Sequence, residues 1–242
     1  NTVRTTGTFT GKGAVDYTAG DASITITQAN NLSGATTGKV TATIADDSLA
    51  DLIGGSGINA DTGNDGGDIN AFTVTLTDTS VSAADLATLD ARTSGTINLN
   101  DVTTLTGTLT ELKAFIVAED NFGNKSGIST ISVSAENIDG AGGRGSVAEL
   151  VTFHTDIRDS VGDGFNANAV INLTNVALLS GGVSDLLSAI ALTDITGISG
   201  TDIAITATDA SISIANANSL SGATDGVVTA TITESTTAQI LD

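Results

Sequence analysis

The sequence predicts a repeat protein of α/β solenoid type, with a strand plus a short helix in each coil and a parallel sheet running through the stack. Three observations carry this expectation. One segment returns nearly unchanged far along the chain, apolar residues alternate with threonine, and helix-start signals follow the alternating runs.

The return comes first, because a missed repeat miscalls the fold. Residues 21–44 read DASITITQANNLSGATTGKVTATI and residues 209–232 read DASISIANANSLSGATDGVVTATI, the same at three positions in four. A third copy begins at Asp78, where Asp78, Leu89, Thr93, Gly95 and Ile97 match Asp21, Leu32, Thr36, Gly38 and Val40. A fourth begins near Ile131 as ISVSAENI, is interrupted, and resumes as INLTNVALLSG at 171–181, comparable with INLNDVTTLTG at 97–107. The expected division is therefore 1–70 as repeat 1 with an acidic Gly/Asp loop, and 71–129 as repeat 2. Repeat 3 is 130–200 with an insert at about 139–165, and repeat 4 is 201–242, incomplete.

Each unit divides again. Phe72, Val74 and Leu76 alternate with Thr73, Thr75 and Thr77, and a period of two is that of a strand. A helix start follows in Ser82-Ala-Ala-Asp85, and again in Thr108-Leu-Thr-Glu111 and Ser146-Val-Ala-Glu149. There, hydroxyl and carboxylate can satisfy the first free amides of a helix. Leu86 and Leu89, then Leu112, Phe115 and Ile116, follow at helical spacing. Strand, turn, short helix and return take roughly 25–30 residues, the length of one solenoid coil. A second fold stays open, that of tandem all-β, immunoglobulin-like modules. The Thr-rich alternation fits it, and residues 119–134 resemble the last hairpin of a bacterial immunoglobulin-like domain, with Asp120–Asn124 as its turn.

Composition bounds function. The 242 residues carry 28 acidic and 8 basic side chains, a net charge of −20. Lys and Arg are too few to neutralise phosphates or to hold an anionic membrane surface, which disfavours nucleic acid and membrane partners and leaves cations as natural ones. No Cys is present, so stability rests on burial and backbone pairing. No apolar run reaches the roughly 20 residues of a membrane-spanning helix. Asn1 is not a translation start and Met is absent, so the chain is expected to be a processed protein or a segment of a longer one. The last copy stops at Gln239–Asp242, where its second helix should begin, and neither end carries a distinctive polar cap. Open ends of a repeat stack expose unpaired amides and apolar side chains, so further repeats or neighbouring molecules are expected to cover them.

The stretch DTSVSAADLATLDARTSGTINLNDVTTLTGT, flanked by the two DASI…LSGAT…VTATI segments, resembles the repeats of giant secreted cell-surface proteins of marine unicellular cyanobacteria, of the type needed for swimming motility. The likeness covers about two-thirds of the chain and omits 139–165 and the extreme N-terminus. It implies a bacterial, extracellular component of a surface layer (S-layer), filament or matrix. It brings no catalytic residues with it.

Two loops gather acidic residues with glycine. Asp61, Asn64, Asp65 and Asp68 lie in GGSGINADTGNDGGDIN, and calcium takes six to eight oxygens from such flexible loops. The spacing Asp61-x-Gly63-x-Asp65-Gly66 is similar to that of an EF-hand loop but places Phe72 where the last ligand should be. The second loop holds Asp156, Asp159, Asp163 and Gly164, again short of a full set. The competing reading of both is a plain turn. His154, the only histidine, shares the apolar stripe of the insert with Val147, Leu150, Val151 and Ile157, which makes it a packed or rim residue. One His and no Cys argue against zinc. No Gly-x-Ser-x-Gly elbow is present, and Gly140–Gly145 lacks the Gly-Lys-[Ser/Thr] ending of a phosphate loop. Asn31, Asn124 and Asn172 begin Asn-x-Ser/Thr triplets, frequent by chance in such a composition. The expected role is structural: an extracellular repeat protein that self-associates. The alternative is a calcium-stiffened adhesin whose insert touches a ligand. An enzyme acting on polysaccharide is disfavoured, since Tyr17 is the one residue of the Trp/Tyr kind on which a sugar could stack.

Overall fold

Period-two alternation buries one face of each strand, and small outward Thr and Asn side chains let neighbouring strands lie close. Helices and loops between paired strands carry the chain back to the same end, and the pairing is parallel throughout the named strands. The computed structural model describes residues 13–59, 69–117, 121–159 and 165–233. Among these it has an α/β fold with three parallel sheets and seven α-helices. Two compact units divide the chain, Asn1–Thr103 with Ala118–Gly127, and Thr104–Val117 with Ile128–Asp242.

In the first unit the chain runs through β1 (Tyr17–Thr18), α1 (Ile26–Ser33), β2 (Val40–Thr43), α2 (Leu49–Ile53), β3 (Ala71–Thr75), β4 (Ser80–Ser82), α3 (Ala83–Asp90) and β5 (Ile97–Asn98). After β6 (Thr104–Gly107) and α4 (Leu109–Val117), which belong to the second unit, it returns for β7 (Phe122–Gly123) and a single 3-10 turn, Lys125–Gly127. Its sheet has the order β1-β2-β3-β5-β7. Tyr17 pairs with Val40, Ala42 with Phe72, Val74 with Ile97 and Ile97 with Phe122, which keeps the apolar positions in register on one face. Phe72, Val74, Leu76, Val40 and Ile97 are fully buried, and α2 and α3 pack side by side, with Leu52, Leu86 and Leu89 also fully buried.

The second unit continues with β8 (Thr130–Val133), β9 (Asn137–Ile138), α5 (Val147–Asp159), β10 (Val170–Asn172), β11 (Leu178–Gly181), α6 (Val183–Ala191), β12 (Ile195–Thr196), β13 (Ala204–Ala207), α7 (Ile214–Ser221) and β14 (Val228–Thr229). Strand, strand, helix follow one another three times here. The first strands line up as β12-β10-β8, with β6 beside β8, and the second as β13-β11-β9, with β14 beside β13. Helices α4, α5, α6 and α7 pack successively against one another. In this unit two strands precede each of α5, α6 and α7, where the sequence reading placed one; in the first unit β1, α1, β2 and α2 alternate singly.

The helix starts are those the sequence marks. Thr108 and Glu111 exchange bonds, the Thr108 amide reaching the carboxylate at 2.8 Å and the Glu111 amide the hydroxyl at 3.2 Å. Ser146 and Glu149 do the same at 2.9 and 3.2 Å. Such boxes satisfy amides that the helix itself leaves open. Helix α1 has a third box, Thr25 with Gln28, which the sequence reading did not mark.

Two expectations are corrected. The tandem all-β alternative fails, because helices separate the strands and the pairings run parallel. The hairpin at 119–134 fails with it: β7 pairs in parallel with β5, and β8 in parallel with β6 and β10. Asn124 takes a left-handed φ of 62° at this point, which a turn-forming Asn tolerates, but the turn leads into the 3-10 segment and not into a returning strand. The insert is no free projection either. Val147, Leu150, Phe153 and Ile157 of α5 are fully buried, and the helix packs between α4 and α6 and onto β11.

Candidate functional site

The feature that recurs with most chemistry is a Thr-x-Gly clasp between neighbouring strands. The Thr93 hydroxyl donates to the Phe72 carbonyl at 2.8 Å, with the Asn70 carbonyl at 3.2 Å as a second acceptor. It accepts the amides of Phe72 at 2.7 Å and Gly95 at 3.0 Å. Thr224 reaches the Ile203 carbonyl at 2.6 Å and accepts the Gly226 amide at 3.0 Å. Thr36 reaches the Val15 carbonyl at 2.7 Å and accepts the Gly38 amide at 2.9 Å. All three threonines are buried. The glycine is required by approach: a Cβ would lie 2.4 Å from the Val15 backbone at Gly38, 2.4 Å from the Phe72 carbonyl oxygen at Gly95, and 2.3 Å from that of Ile203 at Gly226.

A second recurring device joins helix starts to carboxylates that come later in the chain. The Leu49 amide, first in α2, donates to Asp78 at 2.6 Å; Leu109 of α4 donates to Glu136 and Val183 of α6 to Asp209, each also at 2.6 Å. A carboxylate at a helix N-terminus is favoured by the open amides and by the helix dipole. Asp78 and Asp209 are the aspartates that open the repeated sequence segments, so the letter that marks the repeat also caps a helix 26–29 residues before it.

The predicted calcium ligands Asp61, Asn64, Asp65 and Asp68 lie outside the described residues, as do Asp163 and Gly164 of the second loop. Asp156 and Asp159 stand on the last turns of α5. Among the described residues no group of three or more His, Cys, Asp or Glu side chains is placed to hold a metal ion. An open groove of about 310 Å³ is lined by Thr25, Ile44, Asp47, Asp51 and Ser56 among others. Its carboxylates already serve the start of α2, Asp47 accepting the Ser48 amide at 2.9 Å and Asp51 the Ser48 hydroxyl at 2.6 Å.

His154 sits at the rim of α5, its Nε2 2.8 Å from Asp194, whose other oxygen holds Arg158. Burial, and then the Arg158 charge, hold the imidazole below its usual value. Burial likewise lowers Arg158. The trio ties α5 to the chain just before β12. Elsewhere on α5, Glu149 takes a 2.8 Å bond from Lys113 of α4, which with the Ser146 amide holds that carboxyl at about 2.

What distinguishes parts of the surface is the outer strands. Among the described residues β1 pairs only with β2, and β14 only with β13. Val15, beside β1, is 48% exposed, whereas Phe72 and Ile203, which carry the same clasped carbonyl, are 1% and 2% exposed. Val227, entering β14, is 72% exposed.

No helix among the described residues is long and apolar enough to cross a membrane. No protein-family model, curated protein or solved structure matches the chain.

Proposed function

We propose that this chain is a structural, extracellular repeat protein: a solenoid-like stack whose coils build a bacterial cell-surface layer, filament or matrix by self-association. The observation that carries the reading is the clasp. Thr36, Thr93 and Thr224 each bind the carbonyl of a strand 21 residues earlier, and the glycine two positions on lets the strands approach. A device that fixes one strand upon its predecessor, used again and again, builds length. Its buried bonds link backbone to backbone and present no group to a substrate. Among the described residues the outer strands β1 and β14 each have one partner strand, and such edges suit pairing with a further copy. The acidic surface is that of a protein working among cations, where screening allows like-charged copies to meet.

Electron microscopy and sedimentation of the purified chain, over a series of concentrations with and without millimolar calcium, test the proposal. Extended or layered assemblies are the expected result. Isolated monomers under every condition overturn it.

A further inference from the structure

Resting on the self-association reading above, we infer that the outer edge of β14 docks β1 of a second copy of this chain, the parallel sheet continuing across the contact. The clasp makes positions comparable without appeal to sequence. Val15, Phe72 and Ile203 all receive a threonine hydroxyl from the next strand, so they are equivalent; Val40, Ile97 and Val228 are equivalent in turn, each two residues beyond the clasp glycine. Phe72 and Ile203 are shut away by the strand before them, and Val40 and Ile97 by the strand after them. Val15, just before β1, and Val228, on β14, are the members of these sets that are not buried.

The molecule contains its own template for the missing neighbour. The strand that covers β2 is β3, with Thr41 opposite Ala71, Ala42 opposite Phe72 and Thr43 opposite Thr73. Since β14 corresponds to β2, and β1 to β3 by its clasped carbonyl, the register transfers. Ala230 then faces Val15 of the second copy, and Ile232 faces Tyr17. In the template the Val40 amide bonds the Asn70 side chain at 2.7 Å and the Ile44 amide the Thr73 carbonyl at 2.9 Å. The Ile232 amide would meet the Asp16 carbonyl of the second copy in the same way. Ala230 under Val15 repeats the small-under-large pairing of Ala42 with Phe72.

The edge also lacks the usual protection. Residues 226–233 read GVVTATIT, without a charge or a proline, in a chain that carries 28 acidic residues. Edge strands that must stay single are ordinarily guarded by charge, proline or a bulge. Val227 adds an exposed apolar side chain where the equivalent residues are Lys39 and Thr96.

Sedimentation velocity on the full chain over a micromolar to millimolar series provides the test, together with Val227→Lys, which alters an exposed side chain, and Ala230→Pro, which removes an outward amide. The wild type should associate, and both variants should require at least tenfold higher concentration while keeping their circular dichroism. Wild-type assembly that both variants reproduce unchanged overturns the docking edge and leaves self-association standing. A wild type that stays monomeric throughout overturns the structural reading and the edge with it. Hydrogen exchange on the dilute monomer closes the remaining route: slow exchange at Val228, Ala230 and Ile232 means that the chain's own residues fill the edge, and overturns the proposal.

Discussion

Residues 21–44 and 209–232 share three-quarters of their sequence and the same local structure, yet bury different amounts of it. Each has a bridge that closes the segment (Ile24 to Ile44, Ile212 to Ile232), an eight-residue helix (α1, α7), a clasp threonine and a strand. In the first segment Ala29, Val40, Ala42 and Ile44 are buried; their counterparts Ala217, Val228, Ala230 and Ile232 are half-exposed. The cause is the next stretch of chain. Strand β3 lies on β2, and the Asn30 side chain grips the Gly57 carbonyl at 2.8 Å and the Asn59 amide at 3.0 Å. Shape here is local and follows from capping, clasp and alternation. Burial is borrowed from the neighbour, so one sequence can be core in one place and edge in another.

The largest effect should come from filling a clasp glycine. Gly95→Ala drives a Cβ onto the backbone of β3, which is held on both sides, and should cost about 3 kcal/mol in urea unfolding. Gly226→Ala makes an equally close contact, but β14 can give way, so the cost should be about half as great. Equal costs would show that the edge is as rigid as the interior.

Next is the apolar pair itself. Val40→Ala should lose about 2 kcal/mol and Val228→Ala about 1 or less, because the second side chain keeps part of its water in the folded state. Amide exchange sharpens the same contrast without mutation. Val40 should exchange near the rate of global opening, and Val228 in the dilute monomer much faster, through local fraying. If both exchange together, the two segments open as one and the contrast in burial has no energetic meaning.

Much of this was legible in the sequence, in a patterned way. The alternation of Phe72, Val74 and Leu76 and the boxes at Thr108 and Ser146 depend on neighbours in sequence, and they read correctly. Helices α1 and α7 did not, because Ile24 and Ile26, like Ile212 and Ile214, continue the strand period across the helix start. Of the paired strands, β9 and β12 are two residues long, too brief for any period to show. The insert reads as an interruption, although its four buried apolar side chains make α5 a packing element. The Thr and Gly of the clasp stood out as matching letters, but their role depended on a backbone carbonyl 21 residues away, and a carbonyl leaves no mark in sequence. Asp78 and Asp209 likewise marked the repeat without disclosing the helix they cap.

The smallest predicted effect isolates one local difference between the two segments, at the helix start. In α1 the Gln28 side chain returns to the Thr25 amide at 2.9 Å while the Gln28 amide bonds the Thr25 hydroxyl at 3.2 Å. In α7 the Asn216 amide bonds the Ser213 hydroxyl at 3.2 Å, but its side chain is one methylene shorter than glutamine, and the box is half made. Exchanging the two residues should therefore move stability in opposite directions. Gln28→Asn should cost about 0.5 kcal/mol and Asn216→Gln should add about as much, because one helix-start amide loses its partner and the other gains one. Thermal melting of the two variants beside the wild type measures both. Shifts of the same sign would mean that the box does not distinguish the segments, and that the burial of Ala29 against the exposure of Ala217 accounts for the whole difference between α1 and α7.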